Sequence, residues 1–386
     1  IHVEDLWVKP VLEEDGTGSL GVELKLSMKA GCGGRAEISL YDAENGVCIE
    51  HKLLLPDAGR VDEEGNTGWQ RLQCRMEPQT AGKVKMWDCS NPYLYSLLIK
   101  VYDSADKLVE AVPYPVGFRK LEIVDKVMYL NGKRLILNGV NRHEWSAEGG
   151  RCIGRKEMER DMECFHANNI NAVRTCHYPN QIRWYYMCDK NGIYMMAEAN
   201  LESHGSWQKM GAVEPSWNVP GSLPQWKEAV LDRARSNFEI FKKHVSVLFW
   251  SLGNESYAGD NIESMNRYYK EKQDGRLVHY EGVTENRAYE KTVSDLESRM
   301  YAKPEDIREY LDNNPAKPFI LCEYMHDMGN SLGGMDSYMK LLDEYEMYQG
   351  GFIWDFIDQA LWAEDDITGK KVLRYGGDFD DRPSDY

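Results

Sequence analysis

The chain has no run of eighteen or more apolar residues, so no membrane-spanning helix is expected. It has no basic surplus either. Its 46 Lys and Arg stand against 63 Asp and Glu, for a net charge of −17 and an isoelectric point near 5.1. Nucleic acids and anionic membranes both demand Lys/Arg patches, so neither is expected as a partner. The opening IHVEDLW lacks a basic n-region and an apolar h-region, so no signal peptide is expected at Ile1. The nine cysteines include no C-x-x-C pair, and Cys164, Cys176 and Cys188, twelve apart, read as buried positions on successive elements. Free buried thiols are therefore expected rather than a metal or disulfide framework. They point to the cytoplasm, with a bacterial periplasm as the alternative had a signal been removed. Several chemistries are missing too: there is no G-x-S-x-G elbow, no G-x-G-x-x-G after a strand, no Walker A and no H-E-x-x-H.

What is present is 386 residues at 42% hydrophobic content, enough for two domains and a sizeable core. Eleven Trp and 23 Tyr suit flat sugar rings, although large core side chains are the commoner use of aromatics. Residues 1–117 alternate with period two. Val22, Leu24, Leu26 and Met28 face one way, Glu23, Lys25 and Ser27 the other, and Ala36, Ile38 and Leu40 repeat the pattern. With 69–77 and a hairpin over 94–112 turning at Ser104–Asp106, this predicts an immunoglobulin-like β-sandwich of about seven strands, without a catalytic cluster.

From 118 to 386 a short apolar strand followed by a helix recurs. Strand candidates are 134–140, 170–176, 192–199, 245–251, 276–282, 294–301, 318–324 and 351–357. Met158, Met162 and Phe165 mark one helix, and Trp226, Val230, Ala234, Phe238 and Phe241 a longer one. Further helices are expected over 261–273, 304–313 and 334–348, their apolar stripes facing the core rather than a cofactor. Eight alternations predict a parallel sheet closing as a (β/α)8 TIM barrel. No eighth helix is read before Tyr386, so the chain is expected to be an internal piece of a longer polypeptide.

Reactive groups of such barrels sit at the carboxyl ends of the strands. There the sequence places 141-NRHEW-145, His177, 198-EANLESHG-205, Asn254 and Glu255, Glu281, Tyr301, 323-EYMHDMGNS-331, and Trp354 with Asp355. Carboxylates gathered at one mouth, with no nucleotide loop or thiol partner, point to acid–base or nucleophilic work on a neutral polar substrate. Glycosidic bonds are what paired carboxyls cleave best.

Together 140-VNRHE-144, 174-RTCHYPN-180, 249-FWSLGNES-256, 320-ILCEYMHDMGNS-331 and 350-GGFIWDFIDQ-359 closely resemble the β-galactosidases of glycoside hydrolase family 2. In the sandwich, 87-WDCSNPYLYSL-97 and 115-PVGFRKLEI-123 resemble that family's immunoglobulin-like domain and its junction to the barrel. The resemblance implies a retaining mechanism through a covalent galactosyl-enzyme, with Glu255 as acid/base and Glu323 as nucleophile about 5–5.5 Å apart. It implies His143, His177, Asn254, Tyr301, His326 and Trp354 as substrate-binding residues, and Glu202, His204 and Glu255 as Mg2+ ligands. Arg174 and Glu198 are expected to form supporting charge contacts. One departure is Ala197-Glu198, where the family carries an acidic pair. Family members also carry a jelly-roll domain and further domains outside this region. The Na+ site is therefore expected to be incomplete, the isolated segment to turn over poorly, and the intact protein to be an active homo-oligomer. The rival readings are another activity of the family, β-glucuronidase or β-mannosidase, and a sugar-binding module without catalysis. No Asn-x-Lys clamp for a uronate follows Glu323, which favours a β-galactoside.

Overall fold

Period-two alternation in the first hundred residues produces strands with one apolar face. In the computed structural model, which describes residues 1–29, 32–55, 68–207, 218–327 and 331–379, seven such strands precede the first helix-bearing segment. They are β1 (His2–Leu12), β2 (Thr17–Lys29), β3 (Gly34–Asp42), β4 (Gly46–Leu55), β5 (Trp69–Lys83), β6 (Tyr95–Asp103) and β7 (Leu108–Val116). They form two antiparallel sheets, β1-β2-β5 and β4-β3-β6-β7. Leu20, Val22, Leu24 and Leu26 of one sheet meet Ile38, Leu40, Leu97 and Ile99 of the other in one core. This is the expected immunoglobulin-like sandwich. A small sheet follows, β8 (Leu121–Val124), β9 (Val127–Leu130) and β10 (Lys133–Arg134), in the order β10-β9-β8.

The structure divides into two compact units, residues 1–121 with 130–132 and 242–245, and residues 122–129 with 133–241 and 246–386. The second unit carries eight parallel strands: β11 (Leu137–Arg142), β12 (Ala172–Arg174), β13 (Tyr194–Glu198), β14 (Val247–Ser251), β15 (Leu277–His279), β16 (Glu297–Met300), β17 (Phe319–Tyr324) and β18 (Tyr348–Phe356). Their order is β15-β14-β13-β12-β11-β18-β17-β16, the circular order of a TIM barrel with a single seam. Every residue of β13, β14 and β17 is buried, as expected of parallel strands covered on both faces. The principal outer helices are α1 (Arg155–Ala167), α2 (Ile182–Asn191), α4 (Lys227–Phe241), α5 (Asp260–Glu271), α7 (Pro304–Asp312) and α8 (Met335–Glu344). Single turns α3 (His204–Trp207) and α6 (Glu290–Val293) complete the set.

Several sequence expectations need correction. The first barrel strand begins at Leu137, not Arg134, because Arg134 belongs to the small sheet. Trp226 lies in the 3-10 turn Pro224–Trp226 ahead of α4 and is 41% exposed, so it is off the buried stripe of Val230, Ala234, Phe238 and Phe241. The helix expected to reach Tyr348 stops at Glu344. Tyr345 is extended, and Tyr348 pairs with Phe319 as the first residue of β18. α2 was not read from the sequence, although Trp184, Tyr185 and Cys188 form its buried face. None of the nine cysteines is in a disulfide, but only Cys176, Cys188 and Cys322 are buried; Cys164 is half-buried, and Cys89 and Cys152 are exposed. Among the described residues no helix follows β18; an antiparallel pair, β19 (Leu361–Glu364) and β20 (Lys371–Arg374), follows instead. No helix of the described residues is long and apolar enough to cross a membrane.

Candidate active site

Where β14 ends, the chain turns out of the sheet through Gly253-Asn254-Glu255. Gly253 has φ +145°, and a Cβ there would lie 2.6 Å from the Leu201 carbonyl oxygen, so the turn requires glycine. Glu255 follows with φ +37°, a left-handed conformation that a non-glycine residue adopts only where its surroundings impose it. Glu323, by contrast, sits inside β17 and is 4% exposed.

The centre of the site is Arg174, the last residue of β12, fully buried. A guanidinium has five N–H donors, and all five are used here. Nε and Nη2 donate to Glu198 Oε2 (2.7 Å) and Oε1 (3.1 Å). Nη1 donates to Asn141 Oδ1 (2.9 Å) and Glu323 Oε1 (2.7 Å), and Nη2 also donates to Asn254 Oδ1 (2.7 Å). One cation therefore joins the ends of β11, β13 and β17 to the turn after β14. Glu323 is held from its other side by Tyr301, whose hydroxyl donates to Oε2 at 2.8 Å. Burial opposes charge on Arg174, but Glu198 and Glu323 keep its pKa raised. Burial pushes the Glu198 carboxyl up against the pull of Arg174.

Glu255 is raised to about 7, first by burial, then by the negative charges of Glu323 and Glu202. Two imidazoles, His143 and His177, are shifted the other way. Burial lowers His143 to about 3, with His177 and nearby arginines adding to the effect, and burial with Arg174 lowers His177 to about 4. His177 Nδ1 lies 2.8 Å from Glu198 Oε1, its Nε2 3.9 Å from Glu323 Oε1, and its ring stacks on Trp354 with centroids 5.2 Å apart and 9° between planes. His143 crosses the edge of Trp354, and its Nδ1 is 3.2 Å from the Tyr178 hydroxyl, which also accepts from the Glu144 backbone. Its Nε2 is 4.0 Å from Asp355, whose carboxyl burial raises to about 6. The His326 ring is 5.6 Å from that of Tyr301.

The sequence-derived site residues therefore gather around one mouth. Met328–Asn330 of the motif after β17 lie outside the described residues. Glu202, His204 and Glu255 offer ligand atoms within 4.8 Å of one another, and His204 Nδ1 lies 2.6 Å from Glu255 Oε2. Two carboxylates and an imidazole on partly exposed side chains are a donor set that fits a hard divalent cation. The sequence assigned no role to Asn141, Tyr178, Glu281 and Asp355. Asn141, Tyr178 and Asp355 stood inside the family motifs and Glu281 at a strand end; the contact of the Tyr178 hydroxyl with His143 depends on the fold.

Fold and site together define a TIM barrel of the paired-carboxylate type. Residues 121–386 match the glycosyl hydrolases family 2 TIM barrel domain, and residues 1–119 match a second glycosyl hydrolases family 2 domain. The chain belongs to glycosyl hydrolase family 2. It is 56% identical over its whole length to the β-galactosidase large subunit of Lactobacillus acidophilus, covering 59% of that protein. It is 49% identical, again over its whole length, to the β-galactosidase of Halalkalibacterium halodurans, covering 36% of it. Among solved structures, Bacteroides uniformis β-glucuronidase superposes with TM-score 0.72 at 16% identity, over 92% of this chain and 46% of that one. Likeness at that identity bears on the fold alone. The chain spans about three-fifths of the length of the first two large subunits it matches.

Proposed function

We propose that the protein is a retaining β-galactosidase in which Glu323 is the nucleophile and Glu255 the acid/base. The observation that carries this reading is the single guanidinium of Arg174, which holds Glu323 with one nitrogen and Asn254, the neighbour of Glu255, with another. The relatives named β-galactosidase support galactose as the sugar. Glu323, its two oxygens held by Arg174 and Tyr301, attacks the anomeric carbon, while Glu255 passes its proton to the departing glycosidic oxygen. The glycosyl ester has no charge on Glu323, so one cause of the raised Glu255 pKa disappears. Glu255 then takes a proton from water, the water oxygen bonds to the anomeric carbon, and Glu323 leaves as carboxylate.

His177, with its Nδ1 proton directed at Glu198, presents Nε2 as an acceptor for a sugar hydroxyl. His143, accepting from Tyr178 at Nδ1, presents Nε2–H as a donor beside Asp355. His177, Asn254, His326 and the Trp354 face complete the subsite. Glu202, His204 and Glu255 would hold Mg2+, which when bound supplies positive charge that orients and tunes the Glu255 carboxylate.

The test uses the full-length protein and a 2-fluoro β-galactoside with an activated leaving group. A covalent adduct mapped by peptide mass spectrometry to Glu323 is expected; an adduct on another residue, or none, overturns the assignment. Faster cleavage of an aryl β-glucuronide or β-mannoside than of the β-galactoside would move the substrate to a rival activity of the family.

A further inference from the structure

The turn that presents Glu255 is not held by sheet hydrogen bonds alone. Asn254 N–H donates to the Leu201 carbonyl (2.9 Å), but the next two amides go to side chains of the segment after β15. Glu255 N–H donates to Glu281 Oε1 at 2.7 Å, and Ser256 N–H to the Tyr280 hydroxyl at 3.1 Å. That hydroxyl in turn donates to the Ser256 carbonyl. Tyr280 is fully buried and Glu281 is 4% exposed. Gly282 completes the fit, since a Cβ there would lie 2.8 Å from the Ser256 carbonyl oxygen. Glu281 makes no contact with Arg174, Glu198 or Ser251 through a hydrogen bond, and its Oε2 is buried without a hydrogen-bond partner among the described residues. A buried carboxyl with one idle oxygen adds little to fold stability. Its one strong bond is aimed at the amide of the residue with the left-handed backbone.

We propose that Glu281 is a positioning residue: by accepting the Glu255 amide it holds the left-handed turn that aims the Glu255 carboxyl at the glycosidic oxygen. This inference rests on the acid/base reading of Glu255. A misaimed acid hurts substrates in proportion to their need for a proton, whereas general loosening of the barrel hurts all substrates alike.

The experiment compares a series of aryl β-galactosides, from phenyl to dinitrophenyl, in the full-length protein with Mg2+ in excess. Glu281→Ala is expected to lose about 10- to 100-fold in kcat/KM on the phenyl substrate and only a few-fold on the dinitrophenyl substrate. Added azide, which needs no general base, should restore turnover of the glycosyl-enzyme. Glu281→Gln keeps an acceptor in place and should recover most of the loss. If Glu281→Ala does not fold, Glu281→Asp, whose carboxyl is drawn back by one methylene, carries the same comparison. A loss equal for all leaving groups, or none, overturns the proposal. Glu255→Gln in parallel separates the two readings: without a leaving-group-dependent loss in that variant, the acid/base assignment itself falls.

Discussion

In the sandwich, β2 buries Leu20, Val22, Leu24 and Leu26 and turns Lys25 to solvent. Among the described residues of 1–121, Asp42 is the one buried charged side chain. In the barrel, Arg142, Asp161, Arg174, Glu198, Glu281, Glu297 and Glu323 are all buried. The sandwich follows the hydrophobic effect with little opposition, so its stability rises with the apolar area it hides. The barrel mouth works against that effect: each buried charge costs desolvation, recovered only through complete pairing such as that of Arg174. The contrast teaches where chemistry sits. Carboxyls pushed far up in pKa need burial, and the barrel mouth provides it for Glu255 and Glu281.

The largest expected effect is confined to the barrel. Glu323→Gln should lower kcat by about 10⁴-fold or more, while thermal unfolding of the sandwich stays unchanged. Steady-state assay beside calorimetry checks it, and appreciable residual turnover by the pure variant would remove Glu323 from its role.

Next comes the alkaline limb of the rate. In the proposed mechanism Glu255 acts first as an acid, so with metal removed by chelation kcat/KM on a poor leaving group should fall about tenfold per unit above pH 7. Glu202→Gln removes one of the charges that raise Glu255 and should move that limb to lower pH. A limb that does not move would show that Glu202 does not act on this carboxyl.

A core change in the sandwich should do the reverse of the first experiment. Ile38→Ala, at a fully buried site, should cost about 2–5 kcal/mol in denaturant unfolding and leave kcat per folded molecule within about twofold. A parallel drop in kcat would mean that the two regions are not separable in this way.

The smallest effect concerns pH and stability. Glu255 and Glu281 are raised to about 7 and about 8, in each case first by burial. Ionising a carboxyl buried in this way opposes folding, so stability falls as pH rises from the ordinary carboxyl range through the folded values. Asp15, lowered to about 2 chiefly by the Lys83 hydrogen bond, and Glu37, lowered by Arg35, behave oppositely; their support is complete by neutrality and lost only in acid. Hydrogen exchange between about pH 6.5 and 8, corrected for intrinsic rates, should therefore show protection falling in the barrel strands and constant in the sandwich. Equal loss in both would contradict the assigned burial of these carboxyls.

Much of this was legible beforehand. Alternation in β2 and β3 identified the sandwich, because a strand with one wet face must repeat every two residues. Apolar runs such as VLFWS in β14 identified barrel strands, and the polar residue after each run marked the mouth. What misled was phase at element ends. Trp226 matched a helical stripe by spacing but belongs to a tighter turn, and Tyr348 continued the apolar face of α8 while its backbone joins β18. Nor could spacing distinguish Arg134, drawn into a small sheet, from the strand that follows it.

The sequence alone determined the two fold classes and the family, since those depend on residue type and local period. Only the tertiary structure decided the partners. Arg174 meets Glu323 across 149 positions, and Glu281 reaches the Glu255 amide across 26. Hydrogen bonds and pKa shifts act over a few ångströms of space, so their pattern depends on how the sheet closes and not on order along the chain.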